Sequence, residues 1–179
     1  ESMTSKPRAT DSARSAPASS PIYRGPVALA THQHGNAIER VPVSVYAHPS
    51  EASRAVAREI AELVAARAAA GQKTVLGLAT GSTPVGVYDE LVRLHREEGV
   101  SFRTVVTFNL DEYIGLAPSD PRSYRAYMNR HLFERVNIDL RNTHLPNGMA
   151  RDLQAECRHY EHLIDDCGGI DLQLLGIGR

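Results

Sequence analysis

Cysteine is scarce in this 179-residue chain: Cys157 and Cys167 are the only two. Two thiols cannot build the disulfide framework of a small secreted domain, and neither lies in a Cys-x-x-Cys or Cys/His spacing suited to zinc. The expectation is a reduced protein with two incidental thiols and no metal. An excess of one sign of charge is missing as well. Lys and Arg number 20 against 21 Asp and Glu, a formal net charge of −1, which removes the electrostatic reason to expect nucleic acid or an anionic membrane as partner. No window approaches the roughly 18 consecutive apolar residues that a bilayer span requires. What is there is 42% hydrophobic and 23% charged, an ordinary globular composition, in a chain long enough for one domain with a sizeable core.

The first 25 residues, ESMTSKPRATDSARSAPASSPIYRG, supply Ser, Pro, Ala, Thr and Arg with almost no large apolar side chains. Such a segment buries too little surface to offset its ordering entropy, so residues 1–40 are expected to be a disordered tail and linker. The Arg-rich, acid-poor makeup also fits an organelle transit peptide, although Pro7, Pro17 and Pro21 break the amphipathic helix that a transit peptide prefers. The chain begins on Glu1 rather than methionine, so its true start is expected to be missing or processed. His32 and His34 have no carboxylate or cysteine beside them to complete a metal site and read as linker residues.

From residue 41 the pattern sharpens into one domain, 41–179. VPVSVYA (41–47) alternates as a strand, and Ser50 is expected to cap a helix over 51–70 with Val56, Ile60, Leu63 and Val64 at helical spacing. Gly71 stops that helix. TVLGLA (74–79) reads as a buried strand, 84–98 as a helix, 104–109 as a second buried strand, 123–136 and 151–167 as helices, and 170–178 as a last strand. Strands that are apolar throughout, alternating with helices, predict an α/β fold: a Rossmann-like parallel sheet with helices on both faces.

Ligands in such sheets sit outside the carboxyl ends of the strands, and two loops leave such ends. In the first, Thr80-Gly81-Ser82-Thr83 precedes Pro84. Gly81 permits a tight turn, the hydroxyls are donors, and the free N–H groups of a helix start favour an anion. The loop has no Gly-Lys-Ser/Thr and no Gly-x-Gly-x-x-Gly, so a single phosphate fits better than a nucleotide; a capped turn without ligand is the alternative. In the second loop, the apolar run 104–108 leads through Asn109-Leu110 into Asp111-Glu112. Partial burial there would raise an aspartate into the range of a useful base. Asp111 is the better placed of the two, and Glu112 is expected to point away; a loop acid capping the following turn is the alternative. Tyr124, Tyr127 and Phe133 read as packing for their helix, His159 and His162 as a solvated face, and Tyr160 receives no role.

Together LGLATGSTPVGVYDEL, TVVTFNLDEYIGL, PRSYRAYMNRHLFERVNI, AECRHYEHLI and IDLQLLGIG resemble the glucosamine-6-phosphate deaminases over roughly residues 42–179. The 6-phosphogluconolactonases share a Gly-Ser-Thr-Pro-like loop but typically carry Asp-Glu-Arg where this chain has Asp111-Glu112-Tyr113, and ribose-5-phosphate isomerases share little beyond the first loop. The resemblance implies a cytoplasmic amino-sugar enzyme without cofactor or metal, acting on a small sugar phosphate. Glucosamine 6-phosphate would give fructose 6-phosphate and ammonia, with Thr80, Gly81, Ser82 and Thr83 as the phosphate-binding turn and Asp111 as the enolisation base. The chain stops at Arg179, before the family's Gly-His loop with its ring-opening histidine. The expectation is therefore the amino-terminal part of a deaminase, an incomplete domain lacking part of the active site. A non-catalytic sugar-phosphate-binding module is the alternative, and a homo-oligomer stays open.

Overall fold

Two apolar five-residue strands carry the sheet. Thr74–Leu78 and Val105–Asn109 are buried at every position, as strands covered on both faces must be. The computed structural model describes residues 23–24 and 42–176. Most of the expected tail and linker, with His32 and His34, lies outside the described residues.

The elements in chain order are β1 (Tyr23–Arg24), β2 (Ser44–Val45), α1 (Pro49–Ala69), β3 (Thr74–Leu78), α2 (Val85–Glu98), β4 (Val105–Asn109), α3 (Tyr124–His131), β5 (Thr143–His144), α4 (Leu153–Asp166) and β6 (Leu172–Gln173). The chain divides into two units, 1–47 and 48–179. In the first, β1 pairs antiparallel with β2, so the predicted strand over 41–47 shortens to two residues and takes a partner from the amino-terminal segment. The second unit holds a four-stranded parallel sheet in the order β5-β4-β3-β6.

That order has a functional consequence. The chain steps from β3 to β4 to β5 in one direction, then returns by α4 to lay β6 on the other side of β3. Reversing the direction of travel while keeping right-handed crossovers puts the returning helix on the opposite face. The packing follows: Leu76, Leu78 and Val105 meet α1, α2 and α3, whereas Val75, Val106 and Phe108 meet Tyr160, Leu163 and Ile164 of α4. A crevice forms where strand order reverses, at the carboxyl ends of β3 and β6.

Local chemistry sets the helix ends. α1 starts at Pro49, with His48 rather than Ser50 at the N-cap and no side-chain cap bond; proline suits the first helical position because its missing N–H leaves no orphan donor. Gly71 (φ 70) and Gly99 (φ 76) close α1 and α2 in left-handed conformations. α3 ends at His131, well short of the predicted 136, because Leu132 leaves helical geometry (φ −140) and a 3-10 turn, Phe133–Arg135, follows. Of the predicted strand over 170–178, residues 177–178 lie outside the described residues, and the described part is regular only at Leu172–Gln173, with Leu174 N–H donating to the Gly77 carbonyl. Among the described residues no helix is long and apolar enough to cross a membrane.

The larger core, between the sheet and α1–α3, includes Ile60, Tyr88, Leu91, Leu94, Phe102 and Met128, each at most 1% exposed. Leu91→Ala is expected to cost about 2–5 kcal/mol, because a close-packed site cannot collapse fully around the lost methyl groups. A shift of the urea midpoint without a change in slope would register it.

Candidate active site

Every parallel strand points its carbonyl end the same way, so the loops after β3, β4 and β6 open on one side. A cavity of about 520 Å3 lies there, lined by Ala79 to Thr83 after β3, Leu110 and Asp111 after β4, Tyr124 at the head of α3, and Gly176 after β6. All five residues singled out from sequence, Thr80, Gly81, Ser82, Thr83 and Asp111, are therefore brought together. A second, mostly apolar cavity of about 680 Å3 adjoins it, sharing Ser82, Thr83 and Gly176 and reaching to the first turn of α1. There α1 and α2 approach so closely that a Cβ at Gly86 would stand 2.7 Å from Ser53 Oγ.

The first loop is held from behind and open in front. Gly81 takes φ +106, and a Cβ built on it would meet nothing within 4 Å, so glycine is required there by backbone conformation and not by crowding. Among the described residues no protein acceptor meets the N–H groups of Gly81, Ser82 or Thr83. These donors sit at the head of α2, where the helix dipole adds positive potential. Two carbonyls here, by contrast, are engaged. The buried Tyr88 hydroxyl donates to the Ala79 carbonyl, and Tyr127 Oη donates to the Gly81 carbonyl at 2.7 Å. With the Ala79 and Gly81 carbonyls tied back, the loop lines the cavity with N–H groups that have no protein acceptor, the arrangement an anion needs.

The two adjacent acids divide the two roles weighed from sequence. Asp111 lines the cavity and forms no hydrogen bond or ion pair among the described residues. Its carboxyl is raised above the usual aspartate range, first by burial and then by the neighbouring Glu112 charge. Glu112 turns instead toward the head of α3, where its carboxylate accepts from the N–H groups of Tyr113 (2.8 Å), Tyr124 (2.9 Å) and Arg125 (3.0 Å). The capping role considered for a loop acid belongs to Glu112, leaving Asp111 free in the cavity.

Four tyrosines and an arginine complete the surroundings, and sequence reading missed their parts. Tyr124, expected to be packing, is a wall of the cavity. Its Oη donates to Tyr113 Oη at 3.1 Å. The phenol is held above its ordinary range, first by that bond, then by burial and the Asp111 charge, against a lowering by Thr80. Tyr127, also expected to be packing, latches the phosphate-loop candidate as described. Phe133 is indeed buried, with the Arg125 guanidinium 5.6 Å from its ring centre. Arg125 donates to Thr143 Oγ1 and the Thr143 carbonyl at 2.7 and 2.8 Å, anchoring α3 to β5. Tyr160 Oη donates to the Asn109 carbonyl at 2.8 Å and the His144 carbonyl at 3.1 Å, clamping the end of the strand that carries Asp111. No local pattern marks Tyr88, Tyr127 or Tyr160: each acts on a backbone carbonyl between 9 and 51 residues away.

Comparison with known proteins places this geometry. Residues 47–179 match the family model of glucosamine-6-phosphate isomerases/6-phosphogluconolactonase. A glucosamine-6-phosphate deaminase of Geobacillus sp. (strain WCH70) is 55% identical over 124 residues, covering 69% of this chain and 49% of the relative. One of Thermoanaerobacter sp. (strain X514) is 50% identical over 123 residues, with 69% and 49% covered. The chain thus spans about half the length of the curated relatives it matches. Among solved structures, a monomeric glucosamine-6-phosphate deaminase superposes with a TM-score of 0.70 at 46% identity, covering 73% of this chain and 53% of that one. A 6-phosphogluconolactonase from Plasmodium vivax shares the fold at a TM-score of 0.58 and 21% identity, with 73% and 45% covered. With the matched residues reaching across the whole parallel sheet and both loops of the cavity, the chain belongs to the glucosamine-6-phosphate isomerase/6-phosphogluconolactonase family.

Proposed function

We propose that this chain carries the base and the phosphate turn of a glucosamine-6-phosphate deaminase, a cytoplasmic enzyme of amino-sugar breakdown that uses no cofactor. The observation that supports this reading is the shared cavity: an anion-seeking turn, residues 80–83, and an unpaired carboxylate, Asp111, face the same 520 Å3 space. The relatives at 50–55% identity bear the same activity in their names.

In this reading the phosphate of the open-chain sugar rests on the N–H groups and hydroxyls of residues 80–83. Asp111 removes the proton from C2, the electron pair forms a C1=C2 double bond, and the C1 carbonyl oxygen becomes a hydroxyl by taking a proton released from the C2 ammonium. Returning the Asp111 proton to C1 leaves a C2 iminium; water adds there and ammonium departs, giving fructose 6-phosphate. A raised carboxyl suits this work, because basicity increases with pKa. Tyr124, a neutral phenol on the cavity wall, is positioned to hydrogen-bond the sugar.

Calorimetric titration tests the reading. Glucosamine 6-phosphate is expected to bind about 100-fold more tightly than glucosamine, since charge-assisted bonds from the turn reach only the phosphorylated sugar. Equal affinities would remove the phosphate site. Faster consumption of 6-phosphogluconolactone than of glucosamine 6-phosphate would move the protein to the lactonase branch.

A further inference from the structure

The acid beside the base accounts for how the cavity keeps its shape. Glu112 Oε1 accepts from both Tyr113 and Tyr124, and Oε2 from Arg125. One carboxylate therefore joins a loop residue to the first turn of a helix twelve and thirteen positions later. The cap of α3 is completed by Ser123, whose Oγ accepts from Ala126 N–H at 3.0 Å and whose carbonyl accepts from Tyr127 N–H. The leading donors of that helix are thus all satisfied, two of them by Glu112. The connection matters because of what it joins. Asp111 is the residue before Glu112, and Tyr124 is the residue whose N–H Glu112 accepts; both line the cavity. Arg125 in turn fixes the same helix turn to β5.

We propose that Glu112 is a positioning residue: by tying the acidic loop to the first turn of α3, its carboxylate sets the spacing between the Asp111 carboxylate and the Tyr124 hydroxyl across the cavity. A carboxylate is the best acceptor available for clustered N–H groups at a positive helix end. The oxygens of Glu112 are occupied by backbone donors, so it stays off the substrate and leaves the proton to Asp111.

The inference rests on the deaminase reading, and Glu112→Gln tests it separately. Glutamine keeps length and volume but replaces one acceptor oxygen with an N–H2 donor, which must face a backbone N–H in either orientation of the amide. In a chain of the relatives' full length, turnover of glucosamine 6-phosphate is expected to fall about 100-fold, the scale of a 1 Å misplacement of a reacting group. KM should change by less than about threefold and the melting temperature by less than about 3 °C. Without substrate, the amide resonances of Tyr124 and Arg125 should move upfield, and those of Asp111 and Tyr124 should broaden. Unmoved resonances would overturn the proposal, as would turnover within about threefold of the parent or a loss of turnover matched by collapse of the fold. If the full-length parent turns over no glucosamine 6-phosphate, the functional reading fails, while the substrate-free resonances still decide whether Glu112 holds the loop.

Discussion

In a chain of the relatives' full length, Asp111→Asn is expected to reduce turnover of glucosamine 6-phosphate by about a thousandfold while leaving sugar-phosphate affinity within about threefold of the parent. Asparagine has nearly the same shape and cannot accept the C2 proton, so the effect should fall on kcat and spare KM. A steady-state comparison of the two proteins measures it, and undiminished turnover in the variant would remove Asp111 from the chemistry. The same substitution should have an opposite effect on stability. The Asp111 carboxyl is raised in the folded state, by burial first and then by Glu112. The folded protein therefore holds that proton more tightly than the unfolded chain does. Its contribution favours folding below the ordinary aspartate pKa and is lost as pH rises through the folded value. At neutral pH the ionised carboxylate opposes folding, so Asp111→Asn should raise the melting temperature there, with the gain vanishing as pH falls below the ordinary aspartate range. A series of thermal melts from acid to neutral pH would show both limits.

Gly81→Ala is the second large expected effect. At φ +106 a side chain is strained whatever space surrounds it, and here the space is open. The strain costs about 1–3 kcal/mol if the turn holds its shape; the exposed loop can instead relax, turning its N–H groups away from the cavity. Affinity for glucosamine 6-phosphate is expected to fall about 10- to 100-fold as those donors are lost, with affinity for unphosphorylated glucosamine unchanged. Gly99→Ala is the matched control, since Gly99 is also left-handed (φ 76) but closes α2 at the end away from the turn. It should lower stability without touching affinity. Equal losses of affinity in the two variants would show that Gly81 acts through the fold as a whole.

How much of this was legible in sequence depends on the range of the interaction involved. The buried strands at 74–78 and 105–109, the long helix from 49 and the helix from 85 follow from apolar runs and helical spacing over a few turns, and the structure has them within a residue or two. The two-residue strand Thr143–His144 was not foreseen, because it is a strand only through its pairing with β4. Nor was the early end of α3, where packing around Leu132 and Phe133 outweighs helix propensity. At the site, the loop and the base candidate were readable because each follows directly on its strand. The division of labour between Asp111 and Glu112 was only partly readable. The backbone alternates, but the donors that draw Glu112 away belong to a helix twelve residues on.

By itself, then, the sequence determined the local alphabet of this protein: the two buried strands, the long helices, where a left-handed glycine must stand, and which acid leaves the core first. Periodicity, turn chemistry and helix propensity act between near neighbours, so they survive in a linear reading. Tertiary structure alone decided the strand order, and with it the crevice above β3 and β6. It also decided the tyrosine latches on the Ala79, Gly81 and Asn109 carbonyls and the carboxylate bridge from Glu112 to α3. Each of those contacts joins groups whose separation along the chain carries no signal, and each exists only after the sheet has folded and brought the strand ends to one side.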